Sequence, residues 1–255
     1  MVTLDLVFPF LRERFPTHRR YGSATIQQIF SGHLTDAKLL KVSELASVVL
    51  LNRGEKFETR SLPIEAQLTP VMGASVADFD GDGNEDLFLS QNYFAVRVED
   101  YRMDAGEGLL LQGNGQGGFI ANLGYKSGIK VFGEQRGSAV GDLNADGRPD
   151  LLIAQSKAKP KLYFNSTGKV GLKLSLNGSV LNPNGQGAIT RAIFDNGSKG
   201  PARLVGGSSG LYSHGSASQI LGRAKFISEI EVSWPGGKRS RVKVADITKP
   251  LVINN

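Results

Sequence analysis

Apolar and polar residues alternate with a period of two along most of the chain after residue 45, and this pattern predicts β-strands. The alternation is clearest toward the carboxy terminus, where glycine-containing turns separate the strands. The strands predicted there span residues 172–176, 189–194, 202–205, 227–234 and 241–244. Further upstream, residues 47–52 and 56–61 form a predicted hairpin. The pattern therefore predicts a mainly all-β fold.

The amino-terminal segment, residues 1–40, has a different pattern and is the one part predicted to be helical. Pro9 interrupts its apolar face and Pro16 ends it, because proline fits poorly inside a helix. Thr25 and Gln28 have the spacing of a capping box, which starts a second helix. The apolar residues expected to share the first face are Leu6, Phe8, Phe10, Leu11 and Phe15.

An acidic loop between two apolar strands carries the strongest chemical signal. Four carboxylates fall within nine residues and would repel one another unless a cation neutralised them. Calcium takes 6–8 oxygen ligands, which short loops supply from alternating positions and a backbone carbonyl. Gly83 permits the sharp turn, and Asn84 can offer its carbonyl. The predicted ligands of this first loop are Asp78, Asp80, Asp82, Asn84 and Asp86.

The loop is not an EF-hand, because an EF-hand needs an acid at position 12 and helices on both sides. Position 12 is Leu89, and the flanking residues 73–77 and 87–90 are strand-like. The closing acid is Asp86 at position 9. These observations indicate a strand–loop–strand calcium site.

The same spacing returns 64 residues later, starting at Asp142. Asn144 replaces an aspartate at position 3 as a neutral oxygen donor, and an apolar strand again follows. A single acidic loop is compatible with a solvated surface turn, but two copies in equivalent positions favour metal loops. The donors of the second loop are Asp142, Asn144, Asp146 and Asp150.

Hairpins alternate with these loops and give a repeat of about 60 residues. Residues 110–119 and, more weakly, residues 163–170 have sequences similar to that of residues 50–57 and are predicted to form hairpins as well. Fixed periods of this size are typical of propellers or arrays, and four strands per repeat fit a propeller blade.

Residues 73–87 and 137–151 resemble FG-GAP/VCBS repeats, the calcium-binding blades of integrin-like β-propellers. The resemblance implies ligands at loop positions 1, 3, 5 and 9 and a main-chain carbonyl at position 7, which is Arg148 in the second loop. It therefore implies two Ca²⁺ ions, with weaker binding where Asn144 departs from the pattern.

A propeller needs about 4–8 blades, and residues 1–165 provide fewer than three repeats. We therefore expect the chain to be the carboxy-terminal part of a longer protein, or another copy to supply the missing blades. The amino terminus shows no basic and apolar leader.

The remaining residues, 166–255, are predicted to form a second, small β-rich domain, separate from the partial propeller of residues 1–165 with its helix-leaning residues 1–40. This part resembles the ASPIC/UnbV domain of cartilage-acidic-protein-like chains. The most specific match is the Val-x-Trp-Pro-x-Gly element around Trp234. The matching residues are 184–188, Gly206, Gly207, Ser213, Ser216 and 231–238.

Composition narrows the functional classes. The chain has no cysteine, which excludes disulfides and thiolate metal sites. No apolar run approaches the roughly 20 residues of a membrane span. The net charge of +6 divides into −2 for residues 1–165 and +8 for residues 166–255. Because the basic residues are spaced singly and few aromatics lie among them, no nucleic-acid partner is expected.

The first hypothesis is a non-enzymatic calcium-binding scaffold that binds a protein or glycan in adhesion, with the extracytoplasmic location (secreted, periplasmic or outer surface) implied by the resemblance. One alternative is an enzyme or accessory protein acting on glycans or a secondary metabolite, with a pocket between propeller and terminal domain lined by Glu99, Asp100 and Asp104. Another is a polyanion-binding module in the basic domain.

Overall fold

The computed structural model describes residues 4–35, 37–38, 40–206, 208–210, 212–222 and 226–255. It divides the chain into two compact units, Met1–Leu45 and Ala46–Asn255. Gly207, one of the residues that carry the resemblance to the ASPIC/UnbV domain, lies outside the described residues.

The first unit is helical, as predicted. Thr25 Oγ1 accepts a hydrogen bond from the backbone N–H of Gln28, and Gln28 Oε1 accepts one from the backbone N–H of Thr25, so the predicted capping box is confirmed. Its small core is formed by Leu11, Phe15 and Ile29. The helices are α1 (Leu4–Val7), α2 (Phe10–Arg14), α3 (His18–Gly22) and α4 (Ile26–Ile29).

The apolar face predicted for this unit is only partly correct. The two prolines do end helices, since α1 stops before Pro9 and α2 stops before Pro16. Leu6, however, is exposed and takes no part in the core. The break at Pro9 separates Leu6 from the helix that carries Leu11, so the two residues do not share one face.

The second unit begins with a hairpin and a meander of antiparallel strands. The hairpin pairs β1 (Val48–Asn52) with β2 (Phe57–Ser61), and both strands lie within the residues predicted for it. The first meander joins four consecutive strands in chain order, as expected for a blade. These strands are β3 (Val71–Ala77), β4 (Asp86–Gln91), β5 (Leu109–Gly113) and β6 (Phe119–Asn122).

A short helix, α5 (Gly124–Ser127), leads to the second meander, which has three strands within the continuously described stretch 40–206. The strands are β7 (Gln135–Gly141), β8 (Asp150–Gln155) and β9 (Lys161–Tyr163). The hairpin predicted at residues 163–170 is wrong. After β9 the chain crosses both acidic loops: Lys169 N donates to Asp80 O at 3.1 Å, and Gly171 N donates to Gly147 O at 2.8 Å.

The carboxy-terminal strands form two sheets over one core. In chain order the strands are β10 (Leu172–Asn177), β11 (Ile189–Phe194), β12 (Lys199–Leu204), β13 (Ser208–Gly210), β14 (Ser213–His214), β15 (Gln219–Leu221), β16 (Ile227–Ser233), β17 (Arg239–Lys243) and β18 (Leu251–Asn254). One sheet has the order β15-β10-β18 and the other has the order β12-β11-β16-β17, while β13 and β14 form a separate short hairpin.

Alternating residues of both sheets meet in the core, as the period of two predicted. Leu172 and Leu174 of β10 face Ile230 and Val232 of β16, and all four are almost completely buried. Trp234 is buried among them, and its indole N–H donates to Ser240 Oγ at 2.9 Å. Trp234 therefore anchors the final hairpin.

The short β13–β14 hairpin lies along β3 and β7, the first strands of the two meanders. Ser138 N of β7 donates to Ser213 Oγ at 3.0 Å. Glycine is required on both strands here. A Cβ on Gly73 would lie 2.8 Å from Ser213 Oγ, and a Cβ on Gly137 would collide with the carbonyl of Tyr212.

Candidate metal centre

The first acidic loop connects β3 to β4 across a tight turn. Asp78 follows the last residue of β3, and Asp86 is the first residue of β4. Gly81 and Gly83 have φ angles of 74° and 88°, in the left-handed region that glycine adopts most easily. This turn brings Asp78 and Asp86, at the two ends of the loop, close together.

Backbone N–H groups hold the two end carboxylates of this loop. Asp78 accepts hydrogen bonds from Asp82 N at 3.0 Å and from Gly83 N at 2.8 Å. Asp86 accepts one from Phe79 N at 2.8 Å and one from Gly113 N on β5 at 2.9 Å. The carboxylates are therefore fixed before any ion arrives.

The side chains of Asp78, Asp80 and Asp86 converge, with one oxygen of each lying within 4.8 Å of the others. Two oxygens bound to one calcium ion at 2.3–2.6 Å can be at most about 5 Å apart, so this spacing fits a shared ion. Burial raises the pKa of Asp78 to about 6 and the pKa of Asp86 to about 7, against a normal value of 3.8. A hard cation would relieve that penalty.

Asp82, the predicted ligand at position 5, is not part of this cluster. Asp82 accepts hydrogen bonds from Asn84 N at 2.7 Å and from Asn84 Nδ2 at 2.8 Å. The structure thus brings together three of the four acids predicted for the first loop, and the carbonyl ligand expected from Asn84 stays a prediction.

The second loop repeats the backbone arrangement of the first. Asp150 accepts from Leu143 N at 2.8 Å and from Asn165 N at 2.9 Å, which matches the two contacts of Asp86. Asp142 accepts from Asp146 N at 3.0 Å, as Asp78 does from Asp82 N. The repeat inferred from the sequence is therefore visible in the hydrogen bonds.

The carboxylates of the second loop are instead paired with cationic side chains of the chain itself. Lys173 Nζ lies 3.1 Å from Asp142 Oδ2, and Arg148 Nη1 lies 3.2 Å from Asp146 Oδ2. Partial burial raises the pKa of Asp146, but hydrogen bonds from Asn144 and Arg148 outweigh it and hold that pKa below its usual value. Among the described residues, the first loop alone gathers three acidic side chains closely enough to share an ion.

Residues from the carboxy-terminal sheets cover the first loop. Arg203 of β12 forms an ion pair with Glu85, and both side chains are mostly buried. Gly222 lies directly against the loop, because a Cβ there would fall on the carboxylate of Asp78. Sequence reasoning missed Arg203, Gly222 and Lys173, since nothing local marks residues that reach the loops from later strands.

The acids proposed for an enzymatic pocket lie elsewhere. Glu99, Asp100 and Asp104 are exposed on the connection between β4 and β5. A cavity of about 350 Å³ between the meanders and the carboxy-terminal sheets is lined by Glu85 and Arg203, and these three acids do not line it.

Comparison with protein-family models finds no matching family, and comparison with curated proteins finds no match. The resemblance to FG-GAP/VCBS repeats and to ASPIC/UnbV domains therefore stays a prediction from the sequence. None of the helices in the described residues is both long and apolar enough to cross a membrane.

Proposed function

We propose that this protein is a non-enzymatic β scaffold whose first loop binds one Ca²⁺ ion through Asp78, Asp80 and Asp86. The observation that carries the proposal is the convergence of three carboxylates, two of them only 1% exposed, beneath residues of the carboxy-terminal sheets. Bound calcium would neutralise the cluster and hold β3, β4 and the covering residues together. Its role is structural, and the scaffold serves extracytoplasmic binding of a protein or glycan.

Thermal unfolding in calcium and in chelator tests this proposal. A ligand present at 100 times its Kd stabilises the folded state by about 2.7 kcal/mol, which for a unit of this size raises Tm by about 5–10 °C. We expect that rise in millimolar calcium and its loss in excess chelator. Asp80→Asn keeps the side chain's size but removes a charge, so it should reduce the rise.

The matched control is Asp195→Asn, which removes the same charge from an exposed turn that belongs to neither acidic loop. That variant should keep the full response to calcium. A wild-type melting curve that is identical in calcium and in chelator would rule out the structural ion.

The set of donors at the second loop supports a second, weaker ion only if Lys173 moves away from Asp142. The ammonium group already neutralises one carboxylate there, so calcium would have to displace it. We therefore propose one ion under ordinary conditions and a second at higher concentration.

A polyanion-binding role is the second candidate, because cations outnumber the glutamates that pair with them on one face of the sheet. Arg191 of β11 is opposite Glu231 of β16, which is opposite Arg241 of β17. Lys243 and Arg239 lie on the same exposed face of β17. Retention on heparin in about 300 mM salt would support this role, since exposed charges are strongly screened there, and elution at low salt would count against it.

A further inference from the structure

The first and second meanders pack against each other, and one apolar face of the first meander is buried in that contact. Phe79, Phe88 and Leu110 lie on this face, and each is at most 8% exposed. They form one core cluster with Leu151 and Ile153 of the second meander. The second meander therefore covers the first with a sheet face of its own.

The second meander repeats these three positions, because its strand pairs and the hydrogen bonds of its acidic loop match those of the first meander. We name the surface that the three positions form the open face of the second meander. Its residues are Leu143, Leu152 and Leu162, which correspond in that order to Phe79, Phe88 and Leu110.

The open face of the second meander is exposed where its counterpart is buried. Leu143, Leu152 and Leu162 are 56%, 40% and 45% exposed. In repeat proteins a unit buries its apolar face by stacking on a neighbouring unit. The packing on the first meander shows which neighbour fits this face, namely the opposite face of another sheet of the same repeat.

The β1–β2 hairpin carries that opposite face. In the second meander, Tyr163 belongs to it and packs against the buried cluster of the first meander. Tyr163 corresponds by register to Leu111 of the first meander. Phe57 and Phe119 each form the last strand pair before a hairpin loop, so counting back from the loop gives Leu50 the position of Leu111.

Leu50 and Phe57 lie on the same face of the hairpin, because Phe57 pairs with Asn52, two positions after Leu50. They are 57% and 65% exposed. We name the surface formed by Leu50 and Phe57 the open face of the hairpin. The second unit thus exposes the two complementary faces of its own repeat, one on the hairpin and one on the second meander.

We propose that the open face of the second meander binds the open face of the hairpin in a second copy of this chain. The contact would reproduce between chains the packing that the two meanders make within one chain, with Leu50 in the place of Tyr163. Because the two faces are different surfaces, the copies associate head to tail, and further copies add until a ring closes. This inference goes beyond the calcium scaffold and does not involve the ion.

Sedimentation of the full chain in saturating calcium tests the proposal. The two faces form a small interface, and small interfaces are weak and transient, so we expect association between about 0.1 mM and 1 mM chain. The weight-average mass should rise with concentration in that range. A mass that stays at that of one chain up to about 1 mM would overturn the proposal.

Two variants that each block one face test the head-to-tail arrangement. Leu152→Lys and Leu50→Lys should each remain a single chain, because a lysine buried in an apolar contact loses its hydration. An equal mixture of the two variants should form a complex of two chains, since each variant keeps the face that the other lacks. Leu181→Lys is the matched control, because Leu181 is 97% exposed and belongs to neither face, and it should associate like the wild type.

Three outcomes with the variants would overturn the proposal. The first is association that either substitution leaves unchanged, because a head-to-tail contact needs both faces. The second is a mixture of the two variants that stays at the mass of one chain. The third is equal loss of association in Leu181→Lys, which would indicate a general effect of added charge. The wild-type measurement uses no variant, so a folding defect in either one leaves that test intact.

Discussion

At the scale of single residues, position 4 of the two loops shows how the repeat tolerates different sequences. Gly81 and Ala145 occupy this position, and both have left-handed backbones, with φ angles of 74° and 61°. Glycine adopts this conformation without steric conflict, whereas alanine is strained there by about 1–2 kcal/mol. The second loop therefore carries a local strain that the first loop does not.

Ala145→Gly should stabilise the protein by about 1 kcal/mol, because relief of the strain exceeds the added entropy of the unfolded chain. Urea unfolding measures the change. The reciprocal variant Gly81→Ala should destabilise by more than that amount, because its Cβ would also lie 2.7 Å from Lys169 Cβ. Equal and small effects of both changes would show that backbone strain does not distinguish the loops.

At the scale of secondary-structure elements, local patterns predicted most strands and both loops. The strand Ile189–Phe194 could be predicted from its local alternation, and the acidic turns could be predicted from the close spacing of their carboxylates. The crossing at residues 164–171 was missed, since its glycine-rich sequence looks like another hairpin. Its course is set by hydrogen bonds to Asp80 and Gly147, which lie far away in the sequence.

Local sequence patterns also failed to predict the ion pair that neutralises a carboxylate of the second loop. Lys173 reaches Asp142 from β10 across 31 positions, and no spacing rule marks that partner. The sequence therefore predicted weaker calcium binding at the second loop from Asn144 alone, without the ammonium group of Lys173. The difference between them depends on which side chains the carboxy-terminal sheets bring to each loop.

Lys173→Met should convert the second loop into a better calcium site, because it removes the ammonium group from Asp142 and leaves the carboxylate free for an ion. Calorimetric titration should then give a second bound ion at a lower calcium concentration than in the wild type. Lys243→Met removes the same charge from an exposed position on β17 and should leave the titration unchanged. An equal response in both variants would indicate a general charge effect.

At the scale of the whole second unit, polar contacts join the meanders to the later part of the chain at the two acidic loops. Arg203 pairs with Glu85 across 118 positions, and Asn165 Nδ2 donates to Phe79 O at 2.7 Å. The β13–β14 hairpin occupies the edges of β3 and β7 as well. Calcium in the first loop would thus stabilise the joint between these parts as well as the loop itself.

Gly222→Ala tests that link, because its Cβ would fall on the carboxylate of Asp78 and lie 2.9 Å from Gly83 N. Either the Asp78 side chain or the segment that follows β15 must move, so calcium affinity should fall by at least tenfold. Calorimetric titration measures the loss. Gly215→Ala is the matched control, since its Cβ would meet nothing within 4 Å, and it should bind calcium normally. Unchanged affinity in Gly222→Ala would show that the carboxy-terminal sheets do not shape the ion site, and the ion would then act only within the turn between β3 and β4.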